Sequence, residues 1–248
     1  MYMKKSMIIG FISIIFASVL LSSCDLLDLT PKAAVTVKTY FKNESELELY
    51  ANRFYSDILP GGSGIYKEIG DNMIWIPLAS EVSLTRTVPE KGGGWSFEAL
   101  RHINFLLENI SNCPDAAAVR KYTGVAKFFR AHYYFNMVKR FGDVPWLDHV
   151  PGTDDPALYK ARDSRDFVME KVIEDLDEAI RLFKKENSTK DLYHVTWWTA
   201  MALKSRICLF EGTFRKYHGL ADSEKWLRLC VESSDALMNA TRGYSLYT

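Results

Sequence analysis

Residues 124–148 read GVAKFFRAHYYFNMVKRFGDVPWLD, a segment that crowds phenylalanine and tyrosine rings among four basic side chains before Gly142. On a helical wheel at about 100° per residue, Val125, Ala126, Phe128, Phe129, Ala131, Tyr133, Tyr134, Phe135, Met137 and Val138 fall at nearly every angle. A helix apolar all round is one buried on most sides. Lys127, Arg130, Lys139 and Arg140 scatter around the same wheel and form no continuous basic stripe, which a nucleic-acid interface needs. The segment therefore reads as a packed core helix that Gly142 ends and Pro145 keeps from resuming.

Outward from this helix, the pattern stays helical towards the C-terminus. Before it, Ser96 is placed to cap a helix whose Ala99, Leu100, Ile103, Leu106, Leu107 and Ile110 recur at three and four. Pro114 suits the first turn of the long helix, where its missing N–H costs nothing. After the Pro-, Gly- and Asp-rich loop at 143–163, Ser164 is placed to cap a helix with Met169, Val172, Ile173, Leu176, Ala179, Ile180 and Phe183 on one stripe. Lys184 and Lys185 close it where the dipole favours cations. Thr196 starts a further helix in which Ala200, Ala202 and Ser205 permit close approach, and Gly212 is expected to supply its left-handed end. A last helix over 223–240 carries Trp226, Leu229, Cys230 and Leu237 along one side and has no evident partner.

Helices in succession joined by turns give an all-α expectation, tetratricopeptide-like stacked helical hairpins with long irregular loops, although the spacing is looser than the strict repeat of about 34 residues. The hairpins expected are the Ser96 helix with the long helix, and the Ser164 helix with the Thr196 helix. The division expected is a signal peptide at 1–23, a lipidated tether at 24–43, an N-terminal helix at 44–56 leading into a Gly-rich loop region through 97, and the helical region at 98–248. In the loop region Gly61, Gly62, Gly64, Gly70, Gly92, Gly93 and Gly94, with Pro77 and Pro89, mark turns.

The N-terminus sets the compartment. Lys4 and Lys5 precede an apolar run at 7–21, too short for a span of about 20 residues and suited to a signal peptide. It ends in LSSC, residues 21–24, which resembles a bacterial lipobox, so Cys24 is expected to become the lipidated first residue of the mature chain. The remaining Cys113, Cys208 and Cys230 are odd in number and widely spaced, giving no disulfide framework or zinc pattern. The 31 basic and 31 acidic residues balance, which removes the strong positive charge of most nucleic-acid binders.

The residues GVAKFFRAHYYFNMVKRFGDVPW resemble the signature of the SusD/RagB family of outer-membrane lipoproteins, a Gly-x-Ala-x-Phe-Leu-Arg-Ala run leading through aromatics to Phe-Gly-Asp-Val-Pro. The likeness continues in CDLLDLTP, ALRHINFLLENI, RDSRDFVMEKVIEDLDEAIRLF, VTWWTAMALKSRICLFEGTF and GYSLYT, in the family's order. It departs at Val125, where members commonly carry Glu, and at Phe129, where they carry Leu. Members are usually much longer, so the chain is expected to correspond to an N-terminal portion.

The resemblance implies a glycan-binding lipoprotein, anchored through lipid on the outer membrane and facing the cell surface, that captures oligosaccharides and passes them to a SusC-like TonB-dependent transporter. Helices would dock on the transporter and loops would hold the ligand. Sugars rest C–H faces on aromatic rings and need planar donors and acceptors for their hydroxyls, so the loop residues Tyr66, Asp71, Asn72, Trp75, Arg86 and Trp95 are the candidate ligand contacts. Trp95 leads, because the family places a ligand-facing aromatic near it; Trp75, between Ile74 and Ile76, reads equally well as core. No cofactor or metal is expected, and Asp154 and Asp155 read better as a turn than as a cation site. His102, His132, His149, His194 and His218 form no His-Glu-x-x-His pattern, and no Gly-x-Ser-x-Gly or Ser-x-x-Lys occurs, so a binding protein is expected and not an enzyme. The competing reading is a non-catalytic helical-repeat lipoprotein that scaffolds other envelope proteins.

Overall fold

A computed structural model describes residues 40–61, 76–78, 80, 82–88, 90, 93–184 and 193–240. The proposed signal peptide, Cys24, Lys185 and the GYSLYT segment lie outside them. Among the described residues of the unit beginning at Phe41 the regular structure is helical: α1 (Glu44–Ile58), α2 (Glu98–Asn109), α3 (Ala116–Phe141), α4 (Arg165–Lys184), α5 (Trp197–Tyr217) and α6 (Ser223–Asn239), with short 3₁₀ turns at Ile110–Asn112 and Pro156–Tyr159. No described helix is long and apolar enough to cross a membrane.

The helix ends show which local signals acted. Asn43 caps α1 by accepting from the Glu46 N–H at 3.0 Å, which satisfies one orphan donor, while the Glu46 carboxylate accepts from the Lys42 N–H, one residue before the cap, at 2.8 Å. Asp115 caps α3 through the Ala117 and Ala118 N–H groups. Pro114 therefore lies before the cap, not inside the first turn as expected. Ser96 does not cap α2 either: Phe97 holds that position without a side-chain bond, and the Ser96 carbonyl accepts from the Tyr133 hydroxyl at 2.5 Å. Ser164 and Thr196 do start α4 and α5; Ser164 Oγ accepts from the Phe167 N–H and Thr199 Oγ1 from the Thr196 N–H. Gly142 ends α3 at φ 71°, its N–H bonded to Val138 O at 2.9 Å.

The helix pairing differs from the expected one by one step. The most extensive contacts join α3 to α4 and α5 to α6; α1 and α2 pack on α3, and α4 contacts α5 more lightly. Two glycines explain the tight pairs. A methyl built on Gly124 lies 2.8 Å from Phe183 Cε1, and one on Gly212 lies 2.8 Å from Leu227 Cγ and Cδ2 and 3.1 Å from its backbone N. Gly212 is thus the contact point of α5 with α6 and not a helix end; α5 continues to Tyr217, beyond which Gly219 takes φ 66°. Ser205 also marks this seam, 2.7 Å from Ser234 Oγ, while Ala202 faces solvent. Helix α6 is accordingly partnered. Its Trp226 is buried under the Arg215 guanidinium, although Leu229, Cys230 and Leu237 are only half-buried.

As its all-round apolar pattern requires, α3 forms the centre. Val125, Ala126, Phe128, Phe129, Ala131, Tyr133, Tyr134, Phe135, Met137 and Val138 are all buried. Phe129 meets Phe54 and Tyr55 of α1 edge-on at 5.8 and 4.8 Å, and each fully buried ring of this size stabilises the fold by about 1.5–3 kcal/mol. Two charged clusters sit inside. Arg130 of α3 grips Asp175 of α4 at 2.6 and 2.8 Å, with Lys127 on the same carboxylate at 2.8 Å. Glu211 of α5, fully buried, accepts from Arg165 at 2.6 Å and Arg215 at 2.8 Å. Cys113 and Cys208 are buried free thiols and Cys230 is half-buried.

A buried ion pair adds little net stability against an apolar substitute, but removing one partner strands the other charge. Asp175→Ala is expected to lower the unfolding free energy by about 3–5 kcal/mol in denaturant titration. Arg181→Ala, which breaks only the exposed Glu178 pair, is expected to change the midpoint little.

Candidate functional site

The signature residues build one structure, the seat of the loop that follows α3. Asn104 of α2 donates from Nδ2 to the Leu147 and His149 carbonyls at 2.9 and 3.1 Å, and its Oδ1 accepts from Arg130 Nη1 at 3.3 Å. The Tyr134 hydroxyl accepts from the Leu147 N–H at 2.6 Å, and its ring stacks on Trp146 at 4.3 Å. The Arg130 guanidinium lies 5.2 Å from the Trp146 ring. Residues 144–149 are therefore fixed to α2 and α3 by buried polar groups that find their partners only in this arrangement.

The rest of the loop closes on itself. Asp163 donates its N–H to Val144 O at 3.2 Å, and its carboxylate accepts from the Trp146 N–H at 2.7 Å and from Lys160 at 2.6 Å. The Val150 N–H bonds Glu108 at 2.6 Å. His149 bridges Asp148 and Asp155 at 3.1 and 2.8 Å. Asp155 also accepts the Ala157 N–H, so this member of the acidic pair is a turn cap. Among the described residues no group of His, Cys, Asp or Glu is placed to hold a metal ion.

Between this loop, α2 and the 93–97 segment lies a cleft of about 840 Å³, within the size range of small-molecule sites, roughly 300–1,000 Å³. Its apolar walls come from Trp95, Phe97, Leu100, Phe141, Pro145, Leu147 and Leu158, and its polar ones from Arg101, Asn104, His149, Lys160 and Arg162. Trp95 is half-buried, edge-on to Phe97 and Phe141 at 5.5 and 4.7 Å, with the Arg162 guanidinium 5.2 Å from its ring. Arg140 holds the turn before it by donating to Gly93 O at 2.9 Å. The site thus offers a supported indole with cationic donors around it. That suits a ligand with an apolar face and a polar edge.

Of the candidate contacts, Trp95 lines this cleft, while Arg86 lies exposed on the 82–88 segment and is not among the cleft's residues. Tyr66, Asp71, Asn72 and Trp75 lie outside the described residues. Arg101, His149, Lys160 and Arg162 escaped the sequence reading. The first sits on the polar side of an amphipathic helix and the others in a loop that reads as a connector, so only the folding-back of 144–163 reveals them.

The Asp148 and then the Asp155 carboxylate, accepting hydrogen bonds from the ring, raise the His149 pKa above its ordinary 6.5, and Asp148 is lowered by the same contact. Since the folded value is raised, the contribution to loop stability is complete below pH 6.5 and is lost as pH rises through the raised value. In an NMR titration His149 is expected to titrate above 6.5, and to move back towards 6.5 in Asp155→Asn.

Comparison with known proteins agrees with this geometry. The SusD-like family, described as starch-binding and associating with the outer membrane, matches residues 95–209. No curated protein gives a significant match. Among solved structures, a SusD superfamily protein from Bacteroides fragilis superposes with a TM-score of 0.64 at 17% identity, over 84% of this chain and 45% of that one. A SusD homolog from Bacteroides thetaiotaomicron gives 0.63 at 18% identity, over 85% and 43%. A SusD-like carbohydrate binding protein from Bacteroides vulgatus gives 0.60 at 18% identity, over 82% and 46%. At these identities the likeness is one of fold, and the chain spans less than half the length of each of the three. The signature residues that seat the loop, the family match over 95–209 and the shared fold agree, and what this chain is similar to is the SusD-like family.

Proposed function

We propose that the protein is a cell-surface lipoprotein that captures oligosaccharides and delivers them to a SusC-like TonB-dependent transporter in the outer membrane. The cleft at Trp95 carries the binding part of this reading. An indole braced by Phe97 and Phe141 is a platform for the C–H face of a sugar, and Arg101 and Lys160 stand around it as hydrogen-bonding groups. The family description, starch-binding and outer-membrane associated, supports the same ligand class and location. One of the matched structures is itself named a carbohydrate binding protein. In this reading Tyr66, Asp71, Asn72, Trp75 and Arg86 belong to further ligand-facing loops.

The work proposed is binding without chemistry. Hydrolysis of a glycosidic bond uses two carboxyl groups flanking the scissile bond, and the described lining of this cleft contains none. Anchoring is assigned to Cys24. Two or three acyl chains hold a protein to a bilayer where a single one binds only reversibly.

Trp95→Ala is expected to weaken oligosaccharide binding about tenfold or more, equal to about 1.4 kcal/mol, without moving the thermal midpoint by more than a few degrees. Unchanged affinity in the folded variant sinks the cleft assignment. Cys24→Ser is expected to abolish incorporation of labelled fatty acid and leave the protein unanchored; continued acylation contradicts the anchor.

A further inference from the structure

The charge of the cleft is one-sided. Arg101, Lys160 and Arg162 line it, and its described lining includes no Asp or Glu; His149 is held between Asp148 and Asp155 and adds no uncompensated charge. The chain as a whole balances its charges, 31 against 31, and its other arginines around the helices are commonly paired: Arg53 with Asp57, Arg165 with Glu211, Arg181 with Glu178. Lys160 too has Asp163 at 2.6 Å. Arg101 and Arg162 differ. Among the described residues neither has a carboxylate within ion-pair distance, and the contact of Arg162 is the Trp95 ring.

Resting on the glycan reading above, we infer that the cleft selects an anionic glycan, one whose sugar rings carry a carboxylate or a sulfate, over a neutral one such as starch. A neutral sugar gains little from two guanidinium groups without counter-ions. An acidic sugar meets them with planar, two-pronged acceptors that match the guanidinium fork. The position of Arg162 makes the preference sharper. Its guanidinium lies over the indole that a sugar ring needs, so it must swing away before the ring can stack. An anionic substituent on the incoming ring draws it aside into an ion pair, and the same ligand then occupies the uncovered indole face. A neutral ring must displace the cation with nothing offered in return. The unpaired Arg101 stands across the cleft on α2 to take a second anionic group.

Titration calorimetry of the full chain in detergent tests this with four probes at low salt: an oligogalacturonate, the same oligosaccharide fully methyl-esterified, a heparin-derived oligosaccharide and a malto-oligosaccharide. At least one charged probe is expected to bind tenfold or more tighter than both neutral ones, and to lose affinity as sodium chloride is raised. Arg162→Gln and Arg101→Gln are each expected to bring it towards the neutral level with thermal stability unchanged. The carboxylated and sulfated arms show which anion is preferred. Equal binding of acid and ester, or tighter binding of the malto-oligosaccharide, overturns the charge selection and leaves the glycan reading standing, as does charged binding that both variants leave intact. Failure of all four probes to bind overturns both.

Discussion

The Arg130 guanidinium holds the wall of the cleft together from inside. It is buried, so its donors must all find partners, and those partners come from separate parts of the chain: Asp175 of α4, Asn104 of α2 and the 148 carbonyl of the loop, with the Trp146 ring alongside. A cation in this position is expensive to strand. The loop after α3 consequently has one arrangement that satisfies the cluster, and that arrangement makes it the wall of the cleft.

A division of labour follows from this constraint. Asn104, Arg130, Tyr134 and Trp146 are buried and fix geometry. Trp95, Arg101, Leu158 and Arg162 line the cleft and make no described hydrogen bond to the Arg130 cluster. Here Arg101 and Arg162 line the cleft, and the Arg162 cation rests on the Trp95 indole.

The sequence made the helices legible wherever apolar spacing and a polar cap acted locally. The all-round apolar pattern of 125–138 correctly identified a central helix, and Gly142 correctly marked its end. Gly212 was misread because a glycine in a helix serves equally as a terminus or as a point of close approach, and only the presence of Leu227 against it decides. The pairing of helices was misread for a related reason. Loop lengths suggest neighbours, whereas Gly124 against Phe183 and Gly212 against Leu227 select them. Trp95, singled out in the sequence for its chemistry and its place before a helix, lines the cleft, but Arg162 and Lys160 reach it through the Val144–Asp163 closure, a long-range contact that no local pattern announces.

A crystal structure of the protein with a bound oligosaccharide tests the central claim most directly. A sugar ring is expected against the Trp95 indole, with Arg162 turned away from its present place over that ring and the 144–149 segment unmoved on Arg130 and Asn104. An oligosaccharide bound on another face, with Trp95 still covered by Arg162, would contradict it.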